Sequence, residues 1–502
     1  MPRQFEDRIN RLFEDFNNAE ELNYNNLESI LKDNINTEFG RKHRFEDIHS
    51  IEEFRTRVPL TSAQDYPNSN SYSYEVGYNL ATSGTLGKRK RFTVSSLAMS
   101  LSGGYNYEMP FYLLDIPTDK GMNISIFNVA DKDMLLSAAL YDTAYKCGSF
   151  QLEDFYDKDF LFSDTVKNIP YIKSYITFAH RDIRYFCSIF LYDLLIVFNY
   201  MKDNWKQLLH DIRNHSFSVE LSDRDKAMLL KQDFSDERLA DIERIFTTDS
   251  DEPLMKRLFP ELRFVSGVGG GKYEVFDRDL KALIGEDTDI FYYIYAQTEC
   301  TMGIPVKMNE ASYAMMPRMA FYEYYDAYAN EVLLPHELVV GNEYEPIVTT
   351  FSGIYRYHTG DRVRVKEFLG ETPVVTIHGR INSIINIAGE KVDDADITFV
   401  MDKMKEHYSF SQFAVGIDAS VYPNRYVVFV DAPDADEEFA VIFDRELKKM
   451  AFDYEDLRDR GDIGLPILHT MNTESFLKIQ KGQIKPKVVA SNKQVQEWMS
   501  GR

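Results

Sequence analysis

Thr82-Ser83-Gly84-Thr85-Leu86-Gly87-Lys88-Arg89-Lys90 gathers hydroxyls, glycines and cations in one short stretch. Small residues let backbone amides approach an anion closely, hydroxyls add donors, and Lys88–Arg91 would balance phosphate charge. The spacing is not that of a Walker A loop, and a polar turn beside a basic surface cluster fits the same residues. A second segment, Tyr295-Ala296-Gln297-Thr298-Glu299-Cys300, directly follows the aromatic run Ile290–Ile294. A Glu at the carboxyl end of a buried strand stands where open α/β sheets bind ligands. The Glu299 carboxylate suits Mg²⁺, a hard ion that takes oxygen ligands and phosphate partners; a solvated strand exit is the alternative. In Gly353-Ile354-Tyr355-Arg356-Tyr357-His358-Thr359-Gly360-Asp361, the carboxylate of Asp361 follows a glycine turn and could accept both hydrogens of a ribose diol. An Asx-type turn explains it equally well. Val265-Ser266-Gly267-Val268-Gly269-Gly270-Gly271 is a glycine-rich strand exit, open enough for a flat adenine ring or simply a flexible loop.

These segments need a scaffold of helices and strands. Phe5, Ile9, Leu12, Phe13 and Phe16 form one apolar stripe of an N-terminal amphipathic helix. A longer helical pattern runs through Cys187, Leu191, Leu194, Phe198, Met201, Trp205, Leu208 and Ile212. Both stripes are core faces without chemistry. Asn123–Asn128, Arg263–Gly267, Ile290–Ala296, Met319–Tyr324 and Pro346–Phe351 read as buried strands from their β-branched and aromatic content. The alternation predicts an α/β domain with largely parallel sheets. Near Gly379-Arg380-Ile381-Asn382 the pattern changes. A smaller α+β unit follows, with helices over Asp393–His407 and Asp436–Met450 and strands over Gln412–Asp418 and Tyr426–Asp431. The expected division is a large domain over 1–379, a hinge over 380–386 and a small domain over 387–502.

Whole-chain properties exclude several classes. The 502 residues carry 57 Lys+Arg against 80 Asp+Glu, a formal charge of −23. Such a chain is repelled by nucleic acid and by anionic membrane surfaces, and four clustered cations make a small footprint. Cys147, Cys187 and Cys300 give neither a disulfide framework nor metal spacing. The most apolar stretch, Phe190–Phe198, is broken by Asp193 and is too short to span a bilayer. The charged N-terminus lacks a signal-peptide core. The expectation is a cytoplasmic protein, monomeric or weakly dimeric, with small-molecule partners.

The order of the segments is more specific than any one of them. TSGTLGKRK, a glycine-rich strand exit, YAQTE, YRYHTGD and GRINSIINIAGEKV resemble, in that order, the adenylate-forming superfamily of acyl-CoA ligases, adenylation domains and luciferases. The stretch Asn34–His43 with Phe54 and Val58-Pro59, the helix FNYMKDNWKQLLHDIR, SYAMMPRMAFYEYY and EYEPIVTTFSGIYRYHTGDRVRV are similar to the auxin-responsive Gretchen Hagen family of acyl acid–amido synthetases. The resemblance runs from about Asn34 to Lys487.

It implies a firefly-luciferase-like fold, with a large N-terminal domain and a small mobile C-terminal one. It implies a ligase that adenylates a small carboxylic acid with ATP and Mg²⁺, then passes the acyl group to an amino acid. By similarity, Ser83, Gly84 and Thr85 would cradle the phosphates and Thr298 would contact the α-phosphate. Glu299 would hold Mg²⁺, Asp361 the ribose, and Gly267 and Tyr295 would border the adenine. Arg380 and Asn382 would lie in the hinge, and Lys485 would stabilise charge developing on the α-phosphate. The acyl-acid pocket is expected between Ser100–Phe111 and a helix over Phe178–Phe190. The chain departs from the family pattern in several places. Leu86-Gly87-Lys88 replaces a Ser-Gly-Gly-like turn, and Gln297 stands where a small residue is usual, which would narrow a pocket. Asn382 replaces the superfamily hinge Asp, and KPK replaces K-x-PR at the end. The alternatives are an acyl- or aryl-CoA ligase using the same intermediate, and a nucleotide-binding relative that has lost catalysis.

Overall fold

Glu6–Phe16 opens the chain as a helix whose Ile9, Leu12 and Phe16 are buried, with Glu6 and Asp7 favourably placed in the first turn. The helix Ala19–Asp33 follows and lies on the sheet beneath it, where Asn23 exchanges hydrogen bonds with the backbone of Tyr322. Short helices at Glu38–His43 and Ile51–Arg57 begin at Thr37 and Ser50, whose hydroxyls accept the amides of Gly40 and Glu53. The computed structural model describes residues 5–62, 65–66, 76–81, 91–102, 104–124, 136, 139–140, 168–270, 274–380, 385, 387–388, 390, 392, 394–472, 476, 488–490 and 492–500.

The described strands form four sheets. β1 (Val76–Ala81) and β2 (Arg91–Ser95) make an antiparallel pair. β3 (Gly121–Asn123), β4 (Tyr185–Phe190), β5 (Phe264–Val268) and β6 (Asp289–Tyr292) form a parallel sheet in that order. β7 (Tyr295–Ala296), β8 (Thr301–Ile304), β9 (Ser312–Met315), β10 (Ala320–Asp326), β11 (Glu331–Leu333), β12 (Glu343–Thr350), β13 (Tyr357–His358), β14 (Asp361–Leu369) and β15 (Thr372–Arg380) form a nine-stranded sheet. β16 (Phe413–Asp418), β17 (Arg425–Val430) and β18 (Gly464–Thr470) form the sheet of the C-terminal unit.

Three expectations are corrected. The larger sheet is antiparallel in its pairings, so the sheets are not largely parallel. The long helical stripe does not begin at Cys187, and no helix covers Phe178–Phe190. A helix ends at Ala179, residues 185–190 form β4, and the long helix runs from Leu191 to Asn214. YFCSIF is buried at every position, as a central parallel strand must be, and such a continuous apolar run also satisfies a helical stripe. Finally, Ile290–Ala296 is not one strand. It divides into β6 and β7, which belong to different sheets. The expected strand Asn123–Asn128 lies as β3 over Gly121–Asn123, and residues 125–128 fall outside the described residues.

One core lies between the nine-stranded sheet and the first helix, and a second surrounds the parallel sheet and helices Ile169–Ala179 and Leu191–Asn214. A third joins Ile189, Phe190, Tyr192 and Leu195 to Ile397, Val400, Met401 and Met404 of the helix Asp394–Met404, so the C-terminal unit packs directly on the start of the long helix. No helix among the described residues is long and apolar enough to cross a membrane.

Candidate functional site

The crossing from the parallel sheet to the antiparallel one builds the first half of the site. β6 ends at Tyr292, and β7 turns back onto β8 with Tyr295 opposite Gly303. The turn closes between Gln297 and Cys300, whose amides and carbonyls bond reciprocally at 2.9 and 3.2 Å. Thr298 is half-buried in this turn, and Glu299 is buried rather than solvated, at 8% exposure. A buried carboxylate requires donors. One of them is the hydroxyl of Tyr357, 2.7 Å from Oε1.

The second half is held by a chain of polar anchors. Arg356 adopts a left-handed conformation with φ of 46°. Its Nε and Nη2 donate to the two oxygens of Glu323 at 2.9 and 3.1 Å, and Nη1 donates to the carbonyl of Val58 at 2.9 Å. Glu323 has no exposed surface and also accepts from Arg55 at 2.8 Å. This buried, bidentate network fixes the segment against β10 and the end of the helix Ile51–Arg57. Thr61 bridges to Tyr357, and Tyr357–His358 pairs with β12 as β13. Gly360, with φ of +74°, makes the next turn, and its amide donates to Glu345 Oε1 at 2.7 Å; Glu345 Oε2 meets His358 Nδ1 at 2.8 Å. Asp361 therefore enters β14 in a fixed position, 5% exposed.

There the two halves interlock. Asp361 Oδ2 accepts from the Tyr295 hydroxyl at 2.9 Å and from Gln297 Nε2 at 2.5 Å. Tyr295, Glu299 and Asp361 are thus brought into one cluster, with Thr298 in the same turn. Across β14 and β15, Asp361 is the register partner of Arg380, the last residue of β15; nothing is described of the Arg380 side chain. Gly267 lies on β5 opposite Tyr292, and its carbonyl accepts the amide of Tyr293 at 2.9 Å. A Cβ on Gly267 would stand 2.8 Å from the amide nitrogen of Leu191, so close packing of the long helix's first residue already demands glycine. Gly270 is likewise fixed by its φ of +70° and by its amide's 2.6 Å bond to Asp277. The glycine-rich exit is a packed element, not a flexible loop, through Gly270.

Ser83, Gly84, Thr85, Lys88–Lys90, Asn382 and Lys485 lie outside the described residues. The strand that follows residues 82–90 does reach the site. Ala81 pairs with Arg91, and Phe92 of β2 sets its ring 6.3 Å from that of Tyr357 in a T-shaped contact. Sequence reasoning missed Tyr357, Glu345 and Glu323 and treated Gln297 only as a bulky departure. Tyr357 had one local signal, its place in the same segment as Asp361, whereas Glu323 had none.

No group of three His, Cys, Asp or Glu side chains that could hold a metal is present among the described residues. A buried Glu outside any such group suits an Mg²⁺ that keeps waters and arrives on substrate phosphates better than one held in an all-protein cage. Burial pushes the Cys187 thiol up to about 12, and burial with the nearby Glu299 charge raises Cys300 further. Neither thiol supplies a thiolate nucleophile at neutral pH.

Family models described as the GH3 family N-terminal, central and C-terminal domains match residues 8–69 and 72–290, 313–380, and 395–496. Indole-3-acetic acid-amido synthetase GH3.6 of Arabidopsis thaliana is 24% identical over 469 residues, covering 82% of this chain and 76% of the relative. 4-substituted benzoates-glutamate ligase GH3.12 of the same plant is 26% identical over 274 residues, 51% of this chain and 48% of its own. The solved structure of AtGH3.15 acyl acid amido synthetase in complex with 2,4-DB superposes with a TM-score of 0.81 at 20% identity, covering 98% of this chain and 95% of that one. A 2-hydroxyisobutyryl-CoA ligase shares the fold more distantly, with a TM-score of 0.57 at 12% identity over 95% and 91% of the two chains. The adenylate-forming architecture expected from the motif order is therefore the fold of this protein.

Proposed function

Because this chain belongs to the GH3 family, we propose that it is an acyl acid–amido synthetase that joins a small carboxylic acid to an amino acid at the expense of ATP. The observation that carries the proposal is the Tyr295–Asp361–Gln297 junction, which locks the YAQTE turn, with Glu299, to the carboxylate after the glycine turn. A carboxylate is a poor acyl donor, because an amine would have to expel an oxide. In the first step a carboxylate oxygen attacks the α-phosphorus of ATP, the bond to the bridging oxygen breaks, and pyrophosphate leaves. In the second step the amine attacks the acyl carbon, an amide forms, AMP departs and the amine loses a proton.

Positioning and charge neutralisation, rather than a protein nucleophile, carry such chemistry. In this reading Ser83, Gly84 and Thr85 cradle the phosphates, Thr298 contacts the α-phosphate and Asp361 binds the ribose. Gly267 and Tyr295 border the adenine, and Glu299 would hold the Mg²⁺ that neutralises phosphate charge. The large unit spans 1–379, the hinge 380–386 with Arg380 and Asn382, and the small unit 387–502, which would bring Lys485 to the α-phosphate. Phe92 of β2 lies beside Tyr357, whose hydroxyl reaches Glu299, and this supports a phosphate-binding role for the segment that β2 follows. The charge of −23 and the three cysteines support a cytoplasmic site of action, and a monomer or weak dimer is sufficient for the reaction.

Incubating the protein with ATP, Mg²⁺ and a panel of acids, with either amino acids or CoA, and weighing the products tests the reading. The expected product is an amide conjugate. A thioester formed with CoA and no amide would establish the acyl-CoA ligase instead. Lys485→Ala should slow adenylation, and an unchanged rate would remove Lys485 from the site.

A further inference from the structure

Gln297 does more than occupy space where a smaller residue is usual. Its backbone is fixed on both sides by the reciprocal bonds with Cys300, and its side chain is 7% exposed. The amide nitrogen donates to the Thr359 carbonyl at 3.1 Å and to Asp361 Oδ2 at 2.5 Å. A carbonyl can only accept, so the end of the amide that faces Thr359 must be the NH₂ group, and both of its hydrogens are used. Oδ2 also accepts the Tyr295 hydroxyl at 2.9 Å. Two strong donors on one carboxylate oxygen occupy its two in-plane lone-pair directions.

We propose that Gln297 is a specificity-determining residue for the sugar of the nucleotide: by filling Oδ2 it leaves at most Oδ1 of Asp361 to read the ribose. The inference rests on the assignment of Asp361 to the ribose. A carboxylate with both oxygens available accepts both hydrogens of a diol and recognises each hydroxyl. One that offers a single oxygen recognises one hydroxyl and is indifferent to the other. The enzyme therefore accepts an adenosine triphosphate lacking one of the two hydroxyls. A small residue at 297 would free Oδ2 and restore recognition of both, because a donor lost from a charged acceptor without replacement costs about tenfold or more in affinity.

The test is the affinity of the full-length protein for ATP, 2′-deoxyATP and 3′-deoxyATP, measured by titration calorimetry without any acid substrate. The wild type should bind at least one of the two deoxynucleotides within about fivefold of ATP, whereas Gln297→Ser should lose more than about fivefold with both. Gln297→Met, which keeps the side-chain length and removes the donor, should behave as Gln297→Ser does and guards against a folding defect in either. The proposal is overturned if the wild type rejects both deoxynucleotides by more than that margin, or if the variants keep the wild type's tolerance. Asp361→Asn binding all three nucleotides as the wild type does would overturn the ribose assignment itself. A failed amide synthesis would leave these affinities standing, because they need no acid.

Discussion

Glu299 is buried, and the hydroxyl of Tyr357 donates to its Oε1 at 2.7 Å. Removing that hydroxyl while keeping the ring against Phe92 isolates the bond. A hydrogen bond to a charged group is worth about 1.5–3 kcal/mol, so Tyr357→Phe should lower kcat/KM about tenfold or more. Because the affected group is the proposed Mg²⁺ ligand, the Mg²⁺ requirement should also shift to higher concentration. An Mg²⁺ titration identical to the wild type's would show that Tyr357 only packs. The sequence made Glu299, Tyr295 and Asp361 legible because strand exits and glycine turns leave local signatures. It could not show that Gln297 reaches Asp361 or that Tyr357 reaches Glu299, because those contacts join residues 64 and 58 positions apart and depend on how two sheets meet.

At the scale of elements, the parallel sheet carries a buried polar cluster that the proposed chemistry does not use. Lys173, in the helix Ile169–Ala179, has no exposed surface and donates to the carbonyl of Asn123 at 3.2 Å at the end of β3. Burial lowers its amine to about 7, opposed by Cys187 and Asp193; burial also raises Asp193, at the start of the long helix, to about 6. The signs separate the two groups. Asp193 adds stability below its unfolded value that is lost as pH rises through about 6, so it contributes no slope above pH 7. Lys173 adds stability that is full above its unfolded value near 10.5 and is lost as pH falls through about 7. Between those limits stability should rise by about 1.4 kcal/mol per pH unit, and Lys173→Met should abolish that slope. Denaturant titrations at several pH values from 7.5 to 9 read it directly, and parallel curves for the two proteins would contradict it. The same region shows where element prediction failed. Apolar residues at Cys187, Leu191, Leu194 and Phe198 fit a helix, but β4 ends and the helix begins inside that stripe, with no glycine or proline to mark the change. The ends of β16 and β17 were legible to within one residue because polar turns bound them, whereas β12 begins three residues before the expected Pro346 and β10 runs two residues past the expected Tyr324.

For the whole molecule, the adenylate-forming fold was legible from motif order, but the docking of its two units was not, because it depends on surfaces far apart in sequence. The C-terminal helix Asp394–Met404 meets the helix Glu274–Ile284 through an Arg278–Asp402 ion pair at 2.7 Å, and Lys405 just beyond it pairs with Asp279. Gln412 also bonds the Tyr192 hydroxyl at the start of the long helix. Arg278 and Asp402 are half-exposed or nearly so, and an exposed pair contributes about 0.2–1 kcal/mol. If the small unit must leave this position between the two steps, Arg278→Ala should change the ratio of pyrophosphate exchange to amide formation by no more than about fivefold and leave ATP affinity unchanged. A larger loss of both activities together would point to unfolding rather than to a shifted equilibrium. The central claim, that this protein activates a carboxylate as an acyl-adenylate, is tested most directly by acid-dependent ATP–pyrophosphate exchange in the absence of any amino acid. The expected result is exchange that requires a carboxylic acid and is abolished by Glu299→Ala; no exchange with any acid of a broad panel, or exchange undiminished in Glu299→Ala, would contradict the account.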